Sequence, residues 1–242
     1  MNKEHIFPQW LLDHAKTRKD MIDWVYGKVP ADQATVPLCK ECNSQLGREL
    51  EGPVKAIFSA IESGEGFNDS DAELLVRWMW KILGLFYWSI CNEHWRYGSI
   101  TLKEHVLSKI GPPRSRISIA ISLIEDADED FGCAPVGIDA FSWYSNIYAV
   151  GVFSKLCIAV IYSGLAKYID QDRWSIYQLS DCPLLLNPNN KVYPKVGFKT
   201  GSSAIRYMKL FFGNDSAIFL KHEEAAIVAH EALFDAWRAI GK

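Results

Sequence analysis

Four residues into the chain, in "MNKEHIFPQW", Glu4 and His5 stand side by side, and "VPLCKECNSQLG" later brings Cys39, Cys42 and Asn43 together. These residue types suit hydrolytic chemistry. A carboxylate and an amide carbonyl are hard oxygen donors for a Mg²⁺-like cation, and an imidazole that ionises near neutral pH can take a proton from an attacking water. Cys-x-x-Cys places two sulfurs at one backbone corner, where both can meet a tetrahedral zinc ion. A zinc knuckle needs four ligands, and residues 1–38 contain no cysteine. Each residue also has a plainer role: Asn caps helices well, two thiols can simply sit at a helix start, and His5 can be a surface histidine.

Taken in order, "EHIFP", a spacer and "LCKECNSQLG" leading into a helix resemble the HNH endonuclease superfamily. Its ββα-metal motif presents an acid-histidine pair on the first strand and an asparagine on the following helix. The resemblance runs from residue 3 to about 90, through "LCKECNSQLGRELEGPVKAIF" and "SDAELLVRWMWKILGLF", and thins beyond 115 to a strand-rich segment. It implies that Glu4 and Asn43 hold a catalytic Mg²⁺ or Mn²⁺, that His5 is the general base, and that Cys39 and Cys42 are half of a zinc site. The implied substrate is DNA or RNA. Family members of this type carry a further Cys-x-x-Cys before the acid-histidine pair, so the resemblance implies a truncated module. That departure points to an alternative: a catalytically inactive, protein-binding relative, an inhibitor or regulator in conflict between phages or other mobile elements and their hosts.

The chain must also supply elements that hold these residues. At 242 residues with 49% hydrophobic content it can bury a core without disulfides. The fold class expected is α+β: an HNH-like module over 1–62 and a larger helical and antiparallel-sheet domain over 63–242. Pro8 opens a first helix that ends near Lys19. A second runs from about Cys42 through Ile61, kinked at Gly52-Pro53. A Trp-rich central helix spans 70–97, capped by Ser70 with Glu73 in a capping box, and "TLKEHVLSKIG" forms another helix. Period-two alternation from Ile117 to Leu123 marks a half-buried strand, the first of several over about 115–163 in an antiparallel meander. The Pro/Asn/Gly-rich "LLLNPNNKVYPKVGFKTG" reads as loop, and a last helix covers about 220–240.

Composition restrains the functional reading. The formal net charge of −3 gives no overall footprint for nucleic acid, and residues 1–60 balance eight Lys/Arg with eight Asp/Glu. The acidic turn of Glu125, Asp126, Asp128, Glu129 and Asp130 repels phosphate. No apolar leader precedes Pro8 and the apolar stretch from Trp78 to Cys91 is broken by Lys81, so the expected setting is cytoplasmic, with no membrane. His14, on the first helix, and the Cys91/His94 pair are secondary candidates, read as an exposed histidine and a buried helix end.

Overall fold

The computed structural model describes residues 2–24, 27–91, 96–97, 100–108, 110, 113–126, 136–140, 149–204 and 207. It is a mixed α+β fold. The first strands are β1 (Asn2–His5), β2 (Met21–Trp24), β3 (Gly27–Pro30) and β4 (Thr35–Leu38), with helix α1 (Gln9–His14) after β1. β1 and β4 pair antiparallel, Glu4 opposite Val36 and His5 opposite Thr35, and the β2–β3 hairpin lies between them in the chain. Pro8 stands just before α1, where its missing N–H costs nothing. The helix stops five residues short of Lys19: Lys16 turns left-handed at φ 57°, and Arg18 reaches back to Asp13 with bonds of 2.7 and 2.6 Å.

After β4 come α2 (Lys40–Leu46), a π-helical turn over Gly47–Glu51, and α3 (Gly52–Glu62). The kink expected at Gly52-Pro53 takes this form. Proline cannot donate to the ladder and its ring crowds the preceding turn, so the helix widens just before it. α3 then buries Val54, Ile57, Phe58 and Ile61.

α4 (Asp69–Cys91) is shorter than expected, because Arg96–Tyr97 is a strand, β5, paired with β6 (Ile100–Thr101) ahead of α5 (Leu102–Leu107). Its capping box also sits two residues earlier. The Asn68 side chain accepts the Asp71 N–H and the Asp71 carboxylate accepts the Asn68 N–H, both at 3.0 Å. Glu73 is thereby left for an ion pair in the core. α5 crosses α4 closely at Gly84, where a Cβ would come within 2.4 Å of Leu102.

The larger sheet contains β7 (Ile117–Asp126), β8 (Val136–Ala140), β9 (Ala149–Phe153), β10 (Leu156–Tyr162), β11 (Ser175–Gln178) and β12 (Lys195–Thr200). Its order is β11-β7-β10-β9-β8, and the expected antiparallel meander is the β8-β9-β10 portion. β12, in the stretch read as loop, instead lies parallel to the C-terminal half of β7, with Lys195 opposite Ser122 and Thr200 opposite Asp126. β11 covers the N-terminal half of the same edge.

β7 was expected to be half-buried, yet both its faces are covered. Ile117, Ile119 and Ile121 join a core shared with α1, α3 and α4, while Ala120 and Ile124 join a second core with Trp174 and Phe198. The small Ser118, Ala120 and Ser122 mimic a solvent face in sequence but are buried. The first core runs without interruption across residue 62: Phe58 meets Trp10, Trp78 and Phe153 at ring separations of 5.3, 5.2 and 6.4 Å. The C-terminal helix expected at 220–240 lies outside the described residues, as does His94. No helix among the described residues is long and apolar enough to cross a membrane.

Candidate active site

The strand alternation of β1 separates Glu4 from His5. Successive side chains point to opposite faces, so Glu4 turns into the core, 7% exposed, while His5 is half-buried at the strand end. Across from Glu4, α4 contributes Lys81, which is fully buried and donates to both Glu4 and Glu51. Glu51 comes from the π-helical turn, whose extra residue shifts the helix face at that point.

The charges in this cluster do not cancel. Burial, the largest single influence on Lys81, favours the neutral amine, but Glu51 and Glu4 outweigh it and raise its pKa above the ordinary lysine value. Glu51 is raised by burial; Lys81, its principal counterion, and His5 draw it down without fully offsetting that effect. One ammonium faces two carboxylates, leaving one negative charge in excess when both are ionised.

Asn43, on α2, packs back on β1, and its side-chain amide donates to the Lys3 carbonyl at 3.3 Å. This bond joins α2 to β1, one residue from Glu4. Gln9, on α1, lies with its amide nitrogen 3.2 Å from His5 Nε2. An amide nitrogen only donates, so Nε2 is assigned as the acceptor of this bond. His14 is not part of this cluster; it pairs with Glu62 at 2.7 Å.

Cys39 and Cys42 are joined to each other as a disulfide. Cys39 is also the N-cap of α2, its sulfur accepting the Cys42 N–H at 3.0 Å. In this state the pair presents no thiolate to zinc, which binds the deprotonated sulfur. Behind Cys42 is an apolar cavity of about 90 Å³ lined by Leu38, Leu46, Lys81, Leu85 and Leu102 among others.

The donor set suits a hard divalent cation in chemical type. Glu4, Glu51 and the Asn43 amide are oxygen donors, and the excess negative charge beside them favours a cation. The position beside Glu4 is held by an ammonium, so a metal would have to share or displace it. Among the described residues no three His, Cys, Asp or Glu side chains converge on a single point. Three participants escaped the sequence reading: Gln9, Glu51 and Lys81. Only Lys81 carried a signal, as a lone charge inside an apolar helix, which requires a buried acid somewhere in the fold.

No protein-family model, curated protein or solved structure matches this chain.

Proposed function

We propose that this chain is an HNH-type, metal-dependent endonuclease or a recent relative of one, acting on the phosphodiester bonds of DNA or RNA. The observation that carries the reading is the order β1, β4, α2, with His5 ending the first strand and Asn43 on the helix bonded back to that strand. In this reading Glu4 and Asn43, with Glu51 beside Glu4, hold a Mg²⁺ or Mn²⁺ ion. A cation held there would supply charge stabilisation for the scissile phosphate and its leaving oxygen.

His5 takes the proton from the attacking water. Its Nε2 lone pair is the basic site, and Gln9 now occupies it, so the water must replace the Gln9 amide there before the proton can move. The half-buried position of His5 at the strand end leaves it within reach of solvent, as a base that must meet both water and substrate requires. Glu4 faces the other way and shares Lys81 with Glu51. The strand therefore fixes the backbone of both residues through one ladder.

That same ion pair favours a second reading. With Lys81 as resident cation, the scaffold is complete without metal, and the chain becomes an inactive HNH-derived module that binds a protein partner. The two readings separate on incubation of the purified protein with DNA and RNA in Mg²⁺ or Mn²⁺. Cation-dependent cleavage that His5→Ala abolishes supports the endonuclease; intact substrate under every cation sinks it and leaves the binding module.

A further inference from the structure

We propose that Cys39 and Cys42 form a thiol–disulfide exchange site, an activity independent of phosphodiester hydrolysis. The two sulfurs close a disulfide over a two-residue loop where β4 passes into α2, and the fold makes them unequal. Cys39 is exposed at the helix start, while Cys42 is half-buried and faces the cavity lined by Leu38, Leu46, Leu85 and Lys81. A thiolate arriving from solvent meets Cys39 first. The cavity gives the Cys42 sulfur room to withdraw when the bond opens, because two thiols stand farther apart than two bonded sulfurs.

A backbone donor completes the asymmetry. The Cys42 N–H points at the Cys39 sulfur at 3.0 Å and holds it at the exposed helix start. Cys39 is thus the sulfur suited to be attacked first and released last.

The exchange requires a dithiol reductant as co-reactant. One of its thiolates attacks the Cys39 sulfur; the Cys39–Cys42 bond breaks, a mixed disulfide forms, and Cys42 leaves with the electron pair and takes a proton. The reductant's second thiolate then attacks its own sulfur in the mixed disulfide, forming the reductant's disulfide and releasing Cys39 as a thiolate. Two electrons pass from the dithiol to the cysteine pair, and one disulfide is exchanged for another.

The full-length protein, purified without reductant and equilibrated in graded mixtures of reduced and oxidised dithiothreitol, is alkylated and mapped by mass spectrometry. Cys39 and Cys42 are expected to pass together from unlabelled to labelled in one two-electron transition. With glutathione disulfide as probe, reduced Cys42→Ser is expected to form a mixed disulfide at Cys39 about tenfold faster than reduced Cys39→Ser forms one at Cys42. Equal rates in the two variants overturn the proposal. So does a pair that purifies as thiols, holds one zinc per chain in native mass spectrometry and resists alkylation until the zinc is chelated.

Discussion

Two groups of buried charges tie α4 to the rest of the molecule, and they are built on opposite principles. Near its start, Arg114 bridges Asp69 and Glu73, and its Nε donates to the Ser180 carbonyl at 2.6 Å. Arg77 adds a second cation beside Glu73 at 3.7 Å and spends its other donors on the Val106 and Leu107 carbonyls. Tyr177 and the Ser180 N–H each donate to Asp69 at 3.0 Å. Two cations meet two anions, and the carboxylates are bonded on several sides.

Eight residues after Glu73, Lys81 meets Glu4 and Glu51 with no second cation. A point-charge ammonium replaces the guanidinium fork, and one carboxylate remains uncompensated. The contrast separates a saturated network from an unsaturated one. A neutral, saturated network fixes the crossing of α4 with α5 and β11 and can accept nothing more. A buried cluster with excess negative charge, next to half-exposed His5 and Asn43, still has capacity for a proton or a cation. Burial moves the ionisable groups of both networks: the Tyr177 phenol is pushed up to about 12 by burial and by Asp69, and Glu51 is raised above the ordinary carboxylate range.

The largest effect is expected from Arg114→Met. Removing one partner of a buried ion pair strands the others, so stability should fall by about 3–5 kcal/mol, read from the denaturant midpoint. A loss below about 1 kcal/mol, the range of exposed pairs, would mean that the network is open to water. Lys81→Met should cost about 3 kcal/mol for the same reason, but with a difference. Glu4 and Glu51 are then free to take another cation, so Mn²⁺ should raise the melting temperature of Lys81→Met more than that of the wild type, and not that of Arg114→Met. An equal response in all three erases the distinction drawn between the two networks.

A pH titration sharpens it further. The folded state holds the Glu51 proton more tightly than the unfolded chain, whose value is near the ordinary 4.5. Its contribution to stability is therefore complete below that value and is lost as pH rises through the raised folded value. Glu51→Gln should flatten this decline in a series of thermal melts, and an unchanged slope would remove Glu51 as its source. The raised Lys81 value acts only at alkaline pH, where its contribution is lost as the ammonium deprotonates. Asn68→Ala, which removes the α4 cap but touches neither network, should cost about 1 kcal/mol; a much larger loss would mean that the cap also holds Asp69 in place.

The sequence made the local features legible and left the long-range ones hidden. Helical spacing, Pro8 at the start of α1 and the kink before Pro53 follow from interactions within a few residues, and each appears in the fold. The sequence offers two acids after two possible caps, Asp71 after Asn68 and Glu73 after Ser70, and tertiary demand from Arg114 on Glu73 decides between them. β12 was obscured by its Pro and Asn neighbours, since its pairing partner is β7, more than seventy residues away. In the candidate site, the HNH resemblance points to His5, Glu4 and Asn43, but strand alternation sends Glu4 to a lysine from another element. Nothing in a motif reports an ion pair between residues 77 apart.

The central claim rests on His5 as the base of a cation-dependent phosphodiesterase, and the direct measurement is nucleic-acid cleavage by wild type and His5→Ala side by side in Mn²⁺ and in EDTA. His5 is partly exposed, so the substitution should leave stability within about 0.5 kcal/mol, and melting curves confirm that both proteins are folded. Wild type is expected to cleave in Mn²⁺ and not in EDTA, with a loss of at least about a hundredfold in His5→Ala. Cleavage that survives in His5→Ala, or a folded wild-type protein that cuts neither DNA nor RNA in any divalent cation, contradicts it.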